Sequence, residues 1–253
     1  MGKQNATGFT IIETMLVLSV TSLMAVAILV GSGAQVRGQE YRSSVTGLLS
    51  EVQQQYSTVQ NPINDRTISQ PACGAGAGTA SRGTSANCLI VGRLITSDGI
   101  TLTETPVQGS IASSNINTDI NNTANSPNSA NGWTLYLDTN NISKYVVTWG
   151  STLKAAVGSA VASSSTFNLL VIMSPADGSL YTYATNGAPI TNPSGLYGLL
   201  AASSNSQQTL TLCVNSGSAT LIGTPLAVQV VANASGANGI SLPAQSSVSG
   251  ICV

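Results

Sequence analysis

The 253-residue sequence contains no histidine, which removes the commonest general base and the commonest metal-ligating side chain. Charge is scarce as well: only 7% of residues are Asp, Glu, Lys or Arg, against about 25% in an ordinary soluble protein. A net charge of −1 gives no electrostatic basis for holding nucleic acid. Arg66, Arg82 and Arg93 are few and separated, and no Lys or Arg follows Lys154, which argues against direct nucleic-acid binding. The nine acids are Glu13, Glu40, Glu51, Asp65, Asp98, Glu104, Asp119, Asp138 and Asp177. No two of them are close enough in sequence to form a local carboxylate pair, so only folding could create one. These absences argue against an enzyme, and neither a metal site nor a cofactor is expected.

Cysteine is sparse: Cys73, Cys88, Cys213 and Cys252, with no Cys-x-x-Cys pair. Four cysteines allow three connectivities. The spacing favours Cys73–Cys88 across a Gly/Ala/Ser/Thr/Asn loop and Cys213–Cys252 near the C-terminus; four free thiols are the alternative reading. An exported location would favour bridges.

What the chain does have is one long apolar run. Met1 to Gly8, MGKQNATG, is polar with a single positive charge, Lys3. Phe9 to Val30 is apolar or small apart from Glu13 and scattered Ser/Thr. As a helix this run is about 33 Å long, matching a bilayer core of about 30 Å. A cleaved secretory signal has a shorter core followed by a small-residue cut site. Here the small residue available for cutting, Gly8, precedes the run, so cleavage would leave the apolar helix on the mature chain. A cut after Gly8 exposes an α-amine on Phe9, about one helical turn from Glu13. That acid could then pair with its own amine or with a neighbouring copy's, and the helix dipole favours an anion there.

The stretch G|FTIIETMLVLSV (Gly8 to Val20) resembles the class III leader of type IV prepilins: a short basic leader, Gly before the cut, Phe after it, Glu fifth in the mature chain. The resemblance implies that a membrane-embedded prepilin peptidase cleaves Gly8–Phe9 and N-methylates Phe9. It implies that Glu13 pairs with the amine of an adjacent subunit during assembly. It also implies partners: other pilin subunits, the inner-membrane assembly platform, and the cytoplasmic membrane before assembly.

Gly31-Ser32-Gly33 follows the run. Each Gly weakens a helix by up to roughly 1 kcal/mol relative to Ala. The segment is therefore either a membrane-exit loop or, as the pilin resemblance implies, a place where the helix can stretch or bend. Tyr41, Val45, Leu48, Leu49, Val52, Tyr56 and Val59 then fall on one helical stripe, expected to pack against a soluble domain. Asn61-Pro62 should end the helix.

Beyond Pro62 the signals are β. Expected strands are Cys88–Ile95, Ile100–Glu104, Trp133–Leu137, Lys144–Trp149, Thr166–Ser174, Ser179–Thr185, Thr209–Val214, Ala219–Ile222, Leu226–Val231 and Ile251–Val253. Turns are expected at Asp98-Gly99, at 175–178 and at 215–217. The two Asp-Gly pairs read as turns rather than calcium ligands. The expected class is α+β: a leader at 1–8, a long membrane and filament-core helix at 9–60, and a β-rich extracytoplasmic head at 61–253. The cluster of expectations is a type IV pilin-like subunit, major or minor, or the pseudopilin of a secretion or DNA-uptake machine. Its rival is a membrane-anchored adhesin that never polymerises. Lys3 keeps the leader cytoplasmic and the head outside, on a cell-surface filament once assembled.

Overall fold

A computed structural model describes residues 10–61, 89–110, 133–174, 178–201, 207–216 and 226–252. Gly8, Phe9, Cys73, Cys88 and the expected strand Ala219–Ile222 lie outside the described residues. The fold class is α+β, with one apolar N-terminal helix and antiparallel sheets.

Helix α1 covers Ile11–Gln60. It ends where Asn61 donates its backbone and side-chain N–H groups to the Ser57 carbonyl (3.0 and 3.3 Å), one residue before Pro62 bars continuation. The chain divides into two compact units, Met1–Arg42 and Ser43–Val253. The second begins inside α1 because the apolar stripe from Val45 onward is buried among strands.

Ten strands follow among the described residues: β1 Leu89–Ser97, β2 Thr101–Ser110, β3 Thr134–Leu137, β4 Ser143–Val146, β5 Ser151–Val157, β6 Phe167–Met173, β7 Leu180–Asn186, β8 Leu210–Ser216, β9 Leu226–Val230 and β10 Ile240–Ser241. A six-stranded antiparallel sheet runs β3-β2-β1-β6-β7, with β4 also pairing β2; a four-stranded sheet runs β10-β9-β8-β5. Helix α2 is Pro193–Ala201 and the short α3 is Gln245–Val248.

The six-stranded sheet is covered on both faces, which explains why β6 (FNLLVIM) is apolar apart from Asn168 and buried without alternation from Phe167 to Ile172. On one face Leu94, Leu170, Ile172 and Tyr183 pack with Leu196, Leu199 and Leu200 of α2. Tyr197 of α2 accepts the Leu135 N–H through its hydroxyl (2.7 Å), capping a donor of the outer strand β3. On the other face the register row Arg93, Val171, Thr182 meets the C-terminal part of α1. Gly92 sits at a register shift of β1; a Cβ there would strike the Val171 carbonyl and come within 2.9 Å of the Ile172 Cα.

Three sequence expectations need correction. Of the strand expected at Ile251–Val253, the described residues Ile251 and Cys252 form none: Ile251 is in a turn, its N–H bonded to the Val248 carbonyl of α3 (2.9 Å). The strand expected to reach Trp149 ends at Val146, and Trp149 turns the chain instead. Strands β5 and β10 and helix α2 were not foreseen. Helix α2 opens with Asn192 capping the Gly195 N–H (2.9 Å) and Pro193 in its first turn, a start signature that Gly195 and Gly198 disguise as loop.

Candidate functional site

The first candidate is the opening of α1. Thr10 accepts the Glu13 N–H through its hydroxyl (3.3 Å), and the Thr14 N–H donates to the Thr10 carbonyl (3.2 Å). Thr10-Ile11-Ile12-Glu13 thus has the Thr-x-x-Glu spacing of a capping box, a signal present in the sequence and overlooked there. Glu13 is the acid of the first helical turn, where the N-terminal dipole favours negative charge.

From Ile11 to Leu29 the helix is long and apolar enough to cross a bilayer, and none of it is buried. Its hydroxyls are satisfied internally. Thr14 donates to the Ile11 carbonyl (2.9 Å), Ser19 to Leu16 (2.8 Å), Thr21 to Val17 (2.8 Å) and Ser22 to Ser19 (3.0 Å). A helix in hydrocarbon needs every polar group answered from within. The backbone stays helical through Gly31 and Gly33, so no exit loop interrupts it there.

In the second unit Val45, Leu48, Val52 and Tyr56 are buried, as is Val59; Leu49 is half-buried. Tyr41, which belongs to the first unit, is also half-buried. Tyr56 shares a 2.8 Å hydrogen bond with the Thr182 hydroxyl, which donates onward to the Ala234 carbonyl (3.1 Å). Burial pushes the Tyr56 phenol well above its ordinary range. Polar side chains beside the stripe also reach outward: Ser44 donates to the Thr148 carbonyl (3.2 Å), Gln53 to Ile240 (3.1 Å) and Gln60 to Ser235 (3.0 Å).

The second candidate is a carboxyl pair that only folding creates. Gln55 Nε2 donates at 2.7 Å to Glu51 Oε1 of α1 and at 2.7 Å to Glu104 Oε2 of β2. Ser143 of β4 donates to the same Glu104 oxygen (2.6 Å). Arg93 of β1 lies 3.8 Å from that oxygen but gives its close bond, 2.9 Å, to Gln55 Oε1. Glu104 is 2% exposed, and its Oε1 has no hydrogen-bond donor. Burial raises the Glu104 carboxyl from an ordinary 4.5 to about 7; Glu51 adds to the rise, while Ser143 and Arg93 oppose it.

Other features carry less chemistry. Asp98 is a turn residue: its Oδ1 accepts the N–H groups of Thr101 (2.7 Å) and Ile100 (2.9 Å), which hold its carboxyl below the ordinary range. Asp177 of the other Asp-Gly pair lies outside the described residues. Among the described residues no cluster of three metal-ligating side chains occurs. A cleft beside β7 and α2 includes Asn168, whose amide is already used on the Ala188 carbonyl (3.0 Å) and the Ile190 N–H (2.8 Å). Cys213 on β8 is bridged to Cys252, Cα atoms 5.5 Å apart, among Ala156, Ala162, Ala227 and Val248. Trp149 is 61% exposed with φ 60 beside Gly150 with φ 65, in a tight turn closed by Ser151 N–H to Thr148 C=O (3.2 Å).

No protein-family model, curated protein or solved structure matches the chain. Its function is therefore argued from its own residues.

Proposed function

We propose that this chain is a structural subunit of a type IV pilus or pilus-like filament, held in the cytoplasmic membrane by Ile11–Leu29 before assembly and polymerised through the same segment. The observation that carries the reading is a helix exposed around its whole circumference over 19 residues, with one carboxylate in its first turn and no further charge until Arg37. So much apolar surface requires a non-aqueous neighbour: lipid first, then the matching helices of other subunits. A lone acid costs a few kcal/mol at mid-bilayer, less in the first turn, where the dipole favours it. The Gly8–Phe9 sequence supplies the natural partner, an amine made by prepilin peptidase.

The size of the β-rich region after the helix, about 190 residues, favours a minor pilin or pseudopilin as the second reading. The band intensity of this chain in sheared filaments separates the two, a dominant band meaning a major subunit.

Peptide mass mapping of the mature N-terminus is the primary test, with methylated Phe9 expected; Met1 or Gly2 found in working protein sinks the proposal. Glu13→Gln should cut filament yield at least tenfold while the chain still fractionates with membranes. Unchanged filament yield with Glu13→Gln removes the assembly role of this acid, and unchanged surface display of a chain that forms no filament would instead identify a membrane-anchored adhesin.

A further inference from the structure

The Glu51–Glu104 pair presents an unsolved electrostatic problem if both groups are ionised. Two carboxylates then share a single amide donor, Gln55 Nε2, at the joint between α1 and the six-stranded sheet. One Glu104 oxygen is saturated by Ser143 and Gln55; the other is buried with no donor at all. A buried ionised oxygen without a donor is among the costliest arrangements in a protein interior.

The surrounding groups do not supply the missing positive charge. From α1 come Glu51 and Gln55; from β1, Arg93, whose short bond goes to Gln55 and whose approach to Glu104 is 3.8 Å. From β4 comes Ser143; the next residue, Lys144, alternates to the opposite face of the strand. Tyr145 of the same strand is half-buried, its phenol raised by burial and by the Glu51 charge. A proton on Glu104 resolves all of this: it neutralises the buried group and lets two acids meet as acid and base.

We propose that Glu51 and Glu104 form a proton-operated latch fastening the C-terminal part of α1 to the six-stranded sheet, closed while one proton is shared and loosened when it leaves. Loss of the proton sets two anions against each other across Gln55 and frees Arg93 to turn from the amide to the carboxylate. The latch lies wholly within the Ser43–Val253 unit and operates whether or not the chain polymerises.

The pH dependence follows from the direction of the shift. The fold keeps Glu104 protonated up to about pH 7, whereas the unfolded chain releases that proton near 4.5. Stability from this group is therefore fully present below about pH 4.5, falls as pH rises toward 7, and levels off above it.

The test uses the full-length chain in detergent micelles, with thermal unfolding followed from pH 4.5 to 8.5. The wild-type Tm should fall by roughly 5–10 °C across that range, and Glu104→Gln should flatten the profile near the wild-type acid value. A flat wild-type profile, or an equally steep one in Glu104→Gln, overturns the proposal. Hydrogen exchange separates a latch from a general loss of stability. Amides of 48–56 should open preferentially above pH 7 in the wild type; uniform opening of the whole domain counts against a latch. Should Glu104→Gln fail to fold, carboxyl NMR of selectively labelled wild-type glutamates decides: a glutamate titrating near pH 7 is expected, and its absence ends the idea.

Discussion

Helix α1 contains two stretches that obey opposite rules. In Ile11–Leu29 every side chain is exposed, apolar residues go all the way round, and hydroxyls bond back to carbonyls of their own helix. In Ser43–Gln60 the apolar residues form a single stripe, and Ser44, Gln53, Gln55 and Gln60 reach away from the helix to strands and loops, while Thr58 bonds back to the Gln54 carbonyl. Helix propensity does not distinguish the two. What does is that Gln53, Gln55 and Gln60 of the second stretch are bonded into strands and loops, whereas the hydroxyls of the first, which is long and apolar enough to cross a membrane, bond within their own helix.

The sharpest way to break this contrast is to dismantle one environment and watch the other stretch. Replacing both Cys213 and Cys252 by Ser removes a cross-link spanning 39 residues, worth about 4 kcal/mol by the chain-entropy account. The urea midpoint of the β-rich unit should drop accordingly, while helical circular dichroism from Ile11–Leu29 in micelles persists. Loss of both signals together would mean that the two stretches are not independent. A gentler probe makes the same substitution twice. Leu48→Ala should cost about 3 kcal/mol, since Leu48 is fully buried; Leu18→Ala should leave unfolding of the β-rich unit within about 0.5 kcal/mol, since Leu18 is 68% exposed. Equal effects would refute the contrast. A modest gain, rather than a loss, is expected at a residue outside both. Trp149 occupies the left-handed region, which disfavours a bulky side chain by roughly 1–2 kcal/mol. Trp149→Asn should therefore raise stability by up to about 1 kcal/mol in a chemical denaturation curve, and a lower midpoint would show that the indole's contacts outweigh the strain.

Much of this architecture is legible from residue pattern. The apolar run, the Val45-to-Val59 stripe, the Asp98-Gly99 turn and the apolar strand β6 each advertise themselves within a short window, because periodicity and turn chemistry are local. What escaped depends on context. Helix α2 carries Gly195 and Gly198 at positions that read as loop, and only packing of Leu196, Leu199 and Leu200 on the sheet makes them helical. Strand β5 (STLKAAV) is too rich in Ala to declare itself; its register with β8 defines it. The Glu51–Glu104 pair was invisible because it needs a helix face and a strand register at once. Thr10 to Glu13 is the reverse case, a capping signal that is local and complete within four residues.

That capping signal has one more consequence. The capping hydroxyl, the earliest accepting carbonyl among the described residues and the first acid of α1 all lie between Thr10 and Glu13, so the opening turn carries its own capping groups. A protease that cut ahead of Thr10 would leave that set of groups on the rod.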